Sequence, residues 1–200
     1  VVSDKYVHLP MLLANERIRK TKQAKALTPV AQYLLLYHLQ IESIEGLAAR
    51  DIENKIPYSY ASITLGITCL EDLGLCEKVS GGSKRKVIHF DKKGLELWKQ
   101  AQSFLVNPVE ERICCDDLLS DTHFPVCGIN ALAHYTWLNP DPERIIMVPV
   151  KQLREFKLSG VLVRPNEFDG NIIIEAWKYP PVTAIGTKAE WVDRLSLAVS

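Results

Sequence analysis

The chain reads as an α+β protein in two parts, a helical first half closed by a β-hairpin and a small α/β second half. Three observations carry this. Apolar residues recur at helical spacing from residue 28 to residue 75, and a Gly-Gly hairpin signal then separates two β-compatible runs. Beyond Asn107-Pro108, short apolar runs alternate with helical stretches. The boundary falls at that Asn-Pro pair, which gives a first domain over 1–106 and a second over 107–200.

In chain order, residues 9–25 form a basic amphipathic segment. Leu9, Leu12, Leu13 and Ile18 lie on its apolar side, followed by Arg17, Arg19, Lys20, Lys22 and Lys25. It reads either as a solvated helix face or as a helix that builds a dimer. Thr28-Pro29 then opens a helix, with Thr at the N-cap and Pro at N1, and Val30, Leu34, Tyr37 and Ile41 predict its buried stripe. A short helix follows from about Ala48 to Lys55 with Ile52 inward, and Pro57 ends it. Ser59 caps a second helix whose stripe is Ile63, Ile67 and Leu70; Gly74 stands at its left-handed C′ position, with Leu75 folding back. Two short helices across a tight turn match a helix-turn-helix.

Residues 76–79 and 86–90 are β-compatible and flank Ser80-Gly81-Gly82-Ser83-Lys84-Arg85, where Gly-Gly supplies a positive φ. Lys84, Arg85 and Lys86 stand at or near the tip. Between Lys78 and Lys93 there are six basic residues against one acid, Asp91. A basic ribbon beside a helix-turn-helix is a winged helix-turn-helix, placed to reach the phosphates or minor groove of double-stranded DNA. The plainer reading of the ribbon alone is a solvated hairpin. Ser59, Tyr60, Ser62 and Thr64 avoid the apolar stripe of the second helix and are candidates for the major groove; Lys84, Arg85 and Lys86 are candidates for the flanking backbone.

The run Leu70-Glu71-Asp72-Leu73-Gly74-Leu75-Cys76-Glu77-Lys78 resembles the leucine, two acids, glycine, leucine, then wing stretch of MarR-type winged-helix regulators. Arg85 through Gly94 is similar to that family's arginine-containing wing and the helix start after it. The resemblance spans residues 28–105. It implies a homodimeric transcriptional regulator, a repressor, with terminal helices building the dimer. One departure stands out: Leu65 occupies the position that often carries Arg, and no Lys or Arg lies between Lys55 and Lys78.

After the hairpin, Asp91 is placed to cap a helix running to about Leu105, with Leu95, Trp98 and Leu105 inward. In the second half, 128–135 reads as a short helix packed by Ile129, Leu132 and Ala133. Residues 144–150, 160–163 and 171–177 read as strands, and 188–199 as a closing helix. The stretch Gly128-Ile129-Asn130-Ala131-Leu132-Ala133-His134 and the strand after it resemble the C-terminal region of AbiEi-type antitoxins. That resemblance implies a regulator of its own operon that also neutralises a toxin. The alternative to a regulator, favoured by the recognition helix poor in basic residues, is an antitoxin-like or other protein-interaction module on a winged-helix scaffold. The second half then serves as a sensor of a small-molecule effector or as a protein-binding unit.

Net charge is zero, but it is unevenly spread. Residues 1–105 hold 15 Lys and Arg against 11 Asp and Glu, a charge of +4, and residues 106–200 hold 9 against 13, a charge of −4. The basic half is the half with the helix-turn-helix, which agrees with DNA binding. No apolar run approaches the roughly 18 residues of a membrane span, and no signal peptide is evident at the start. Five cysteines, an odd number without framework spacing, point to a reducing, cytoplasmic setting.

Cys115, His123 and Cys127 could share a metal, but they match no zinc spacing and small buried cysteines are the plainer reading, so no metal is expected. Cys114-Cys115 carries no sign of a lowered thiol pKa. Asp116-Asp117 reads as the solvated start of the Leu118-Leu119 turn, and His134 as a satisfied core histidine on an apolar helix. Trp137, Trp177, Trp191 and Tyr179 read as packing before they read as a ligand pocket. There is no phosphate loop, nucleophile elbow or His-Glu-x-x-His, so neither catalysis nor a cofactor is expected.

Overall fold

The computed structural model describes residues 25–82, 85–120 and 122–200. The basic segment of 9–25, Lys25 aside, and Lys84 lie outside them. The protein is α+β. Helix α1 (Pro29–Gln40) starts where its sequence signals place it: the Thr28 hydroxyl accepts the Ala31 N–H at 3.3 Å and Pro29 takes N1. Its buried face is wider than the marked stripe. Leu34 and Tyr37 are buried, Val30 is half-buried and Ile41 is exposed, yet every residue from 31 to 37 is buried, Gln32 included. A helix buried all round is enclosed by neighbours, and α1 is covered from both halves of the chain.

One cover is the pair α2 (Ala49–Glu53) and α3 (Tyr60–Asp72). Ser59 caps α3 by accepting the Ser62 N–H at 3.4 Å, and Ile63, Ile67 and Leu70 face the core. Gly66 lets α3 approach α1 closely, since a Cβ there would lie 2.8 Å from Leu34 Cδ1. The end of α3 is a Schellman motif: Gly74 N–H donates to Glu71 O and Leu75 N–H to Leu70 O, both at 2.9 Å, with Gly74 at φ +67°. Strands β1 (Glu77–Ser80) and β2 (Lys86–His89) follow as an antiparallel ribbon, with Ser80 opposite Lys86. The chain just before α2 fastens to that ribbon, Gly46 N–H to Ile88 O at 2.8 Å and Ile88 N–H to Leu47 O at 3.0 Å. The ribbon is thereby held against α2.

Helix α4 (Gly94–Ala101) begins later than its sequence signals suggest. Lys93, not Asp91, sits at the cap position, and a 3-10 turn (Gln102–Phe104) completes the segment. Leu97 and Ala101 are buried, and Trp98 and Leu105 are half-buried against the same core, while Leu95, expected inward, is 65% exposed.

The second half is built on a three-stranded sheet in the order β3 (Val109–Cys115), β7 (Ile172–Trp177), β5 (Arg144–Pro149), antiparallel and then parallel. Helix α5 (Gly128–Tyr135) precedes β5, and α6 (Val150–Ser159) links it back towards β7. A two-residue ribbon of β4 (Asp117–Leu118) and β6 (Leu162–Val163) lies alongside. The apolar runs of β5 and β7 follow from burial on both faces. Ile146, Val148, Ile174 and Ala176 join α6 residues Leu153 and Phe156 in one core, whereas Ile145, Met147 and Trp177 join Cys127, Ala131 and Val192 in another. In α5 it is Ala131 that is fully buried, while Ile129, Leu132 and Ala133 are half-buried.

The expected closing helix shrinks to α7 (Arg194–Leu197), because the backbone of 190–192 pairs with Val126 instead: Val126 N–H donates to Glu190 O at 2.8 Å and Val192 N–H to Val126 O at 2.9 Å. Tyr179 and Val182 are members of the core around α1. Gln32 Nε2 donates to Tyr179 OH at 2.9 Å and to Val106 O at 2.8 Å. Asp193 accepts from Val182 N–H, Ser196 N–H and Gln40 Nε2, at 2.8, 2.9 and 2.6 Å. Among the described residues, no helix is long and apolar enough to cross a membrane.

Candidate nucleic-acid interface

The outer face of α3, the start of α2 and the ribbon enclose a groove of about 720 Å³. Tyr60 and Thr64 line it from α3, Arg50 and Asp51 from α2, and Lys78, Arg85 and Lys86 from the ribbon. Four of the candidate contact residues are thus brought to one place: Tyr60, Thr64, Arg85 and Lys86. Ser59 and Ser62 sit on the same first turn of α3, exposed and half-buried respectively.

The polar groups of this face are largely engaged by the protein itself. Ser59 Oγ is the helix cap and lies 3.1 Å from Ser62 Oγ. The Thr64 hydroxyl donates to Tyr60 O at 2.8 Å. The Tyr60 ring receives the Arg50 guanidinium, 4.5 Å from its centroid. Leu65 points outward and is 71% exposed.

The cations are engaged as well. Arg85 pairs with Asp51, Arg50 with Glu53 at 3.1 Å, and Lys78 with Glu71 at 2.6 Å. Lys78 also donates to Thr68 Oγ1 at 2.9 Å. Lys86 is exposed and has no ion pair among the described residues. The Asp51 carboxyl is held below the ordinary aspartate range, first by the Ala48 N–H that it accepts at 3.0 Å and then by Arg85. Arg50, Asp51 and Glu53 were not singled out from the sequence. Asp51 and Arg85 are 34 residues apart, and nothing in local spacing pairs them.

Behind the face, His38 supports the ribbon exit. Its Nδ1 accepts the Ile44 N–H at 3.1 Å and its ring stacks on Phe90 with centroids 4.1 Å apart. Burial pushes its pKa down; Glu45 opposes that shift and Lys93 adds to it. Glu45 in turn accepts from the Phe90 N–H at 2.8 Å and lies 2.6 Å from His89 Nδ1.

The second half offers other chemistry less well. Cys114, Cys115 and Cys127 are buried, and burial raises the thiols of Cys115 and Cys127. His123 is exposed and lines a separate pocket with Pro57 and Pro181. Among the described residues, no three His, Cys, Asp or Glu side chains gather in a group able to hold a metal ion. The aromatic set does not share a cavity: Trp177 and Tyr179 are core, Trp191 stacks on His134 at 4.3 Å, and Trp137 is fully exposed. Glu175 is buried on the central strand, where Trp177 Nε1 donates to it at 3.1 Å and Arg112 lies 3.7 Å away. A cleft of about 470 Å³, lined by Leu27, Val106, Val150 and Tyr179 among others, lies at the seam of the two halves.

No family model, no curated protein and no solved structure matches the chain.

Proposed function

We propose that the first half is a winged helix-turn-helix and that the protein is a DNA-binding transcriptional regulator, a repressor acting as a homodimer. The observation that carries this reading is the shared groove. The first turn of α3 and the basic ribbon line the same surface, as a recognition helix and a wing do when one enters the major groove and the other follows the backbone. A single short helix offers few base contacts, and two copies on half-sites one turn apart would share them. The second half then acts as a sensor or partner-binding unit.

The test is binding to labelled duplex from the gene's own upstream region and to random duplex, across a salt series. The reading expects tighter binding to the upstream duplex and a steep salt slope. Lys86→Ala should weaken both and reduce the slope by about 0.9, the value of one phosphate contact. Binding that ignores sequence at every salt would count against a regulator.

A second reading, a protein-interaction module with antitoxin-like character, draws support from two features: the internally paired cations and the exposed Leu65 on the outer face of α3. It expects a protein encoded beside this one to co-purify with it, and Leu65→Asp to release that protein.

A further inference from the structure

The three ion pairs on the groove share a feature. Each acid also accepts a backbone N–H, which for Asp51 and Glu53 comes from a residue other than the paired cation and for Glu71 from Lys78 itself. Asp51 accepts from Ala48 N–H at 3.0 Å, Glu53 from Tyr60 N–H at 2.8 Å, and Glu71 from Lys78 N–H at 3.3 Å. An exposed ion pair normally contributes little, because two flexible side chains must be ordered to make it. Here one partner is already fixed, so the ordering cost falls mainly on the cation. A carboxylate held this way offers a guanidinium or ammonium group what a DNA phosphate offers, an oxygen anion at hydrogen-bond distance.

Resting on the DNA-binding reading above, we infer that Asp51, Glu53 and Glu71 are internal competitors for DNA phosphate, which hold Arg85, Arg50 and Lys78 and keep the affinity of the face low. Asp51 is the member that decides the wing. A phosphate draws Arg85 away from Asp51, so part of the counterion-release gain of that contact is offset by the weakened pair. Lys86 remains an exposed cation of the ribbon with no ion pair among the described residues.

The experiment compares wild type with Asp51→Asn, Arg85→Ala and the double variant, by fluorescence anisotropy on random duplex from 50 to 200 mM salt. The Asn side chain keeps an oxygen for the Ala48 N–H, and circular dichroism checks that each variant is folded. Asp51→Asn should bind tighter and steepen the salt slope by about 0.9. Its advantage over wild type should therefore grow about 3.5-fold on going from 200 to 50 mM. Arg85→Ala should abolish the gain, so that the double variant binds no tighter than Arg85→Ala alone. Glu53→Gln, which also keeps its backbone acceptor, should add a smaller gain through Arg50.

If wild type binds duplex steeply and Asp51→Asn binds no tighter, the inference fails and the DNA-binding reading stands. A gain from Asp51→Asn that persists in the Arg85→Ala background also overturns it, because Arg85 would then not be the cation released. If no folded variant binds duplex, both fail together. Binding by Asp51→Asn alone supports the inference and shows a face that is latent in the wild type.

Discussion

Asp193→Ala tests how far the second half holds the first together. The carboxylate accepts three hydrogen bonds, from Ser196 N–H at the start of α7, from Val182 N–H in the returning chain and from Gln40 at the end of α1. Loss of a helix cap costs about 1 kcal/mol. Leaving the Val182 N–H and the Gln40 amide half-buried without a charged acceptor costs about 1 kcal/mol each. The total of about 3 kcal/mol corresponds to a melting point lowered by roughly 6–12 °C for a chain of this size. Urea unfolding, followed by tryptophan fluorescence and by circular dichroism, gives the change in midpoint and slope. Because Tyr179 and Val182 belong to the core around α1, both probes should move together in one transition. Asp193→Asn, which keeps an acceptor, should lose about 1 kcal/mol. A loss below 1 kcal/mol for Asp193→Ala would refute the clamp, and so would a second transition that leaves the first half intact.

Three further outcomes are expected. The folded pKa of His38 lies below its unfolded value, so its contribution to stability is complete above about pH 6.5 and is lost as pH falls from there through the folded pKa; the urea midpoint should drop between pH 7 and 5, and His38→Gln should flatten that drop. Gly74→Ala should cost about 1–2 kcal/mol through the left-handed backbone alone, since nothing lies within 4 Å of the added Cβ, and urea unfolding measures it. All five cysteines are buried, with the Cys76 thiol pushed up to about 12, so a thiol reagent at pH 8 should label the native protein slowly and the urea-unfolded protein at all five sites.

Much of the first half is legible residue by residue. Thr28-Pro29, Ser59 and Gly74-Leu75 each act on backbone groups within a few positions, and each is found capping or ending the helix it marks. The apolar runs at 144–150 and 171–177 likewise announce β5 and β7. The edge strand β3 was passed over because Glu110, Glu111 and Arg112 are exposed on it, and its partner β7 lies some 60 residues on. Helix α6 was missed because only Leu153 and Phe156 turn inward.

The candidate site divides in the same way. The types of residue on the face of α3 and on the ribbon are written in the chain, as is the basic excess from Lys78 to Lys93. That Asp51 meets Arg85, that Arg50 covers Tyr60 and that Tyr179 completes the core around α1 is not. Caps and turns depend on neighbours a few residues away and are written locally in the sequence, whereas which helix face is buried is set by packing, as the all-round burial of α1 and the exposed Leu95 of α4 show. Ion pairs and shared cores join residues dozens to about 150 positions apart, and they exist only once packing has set the distance between them.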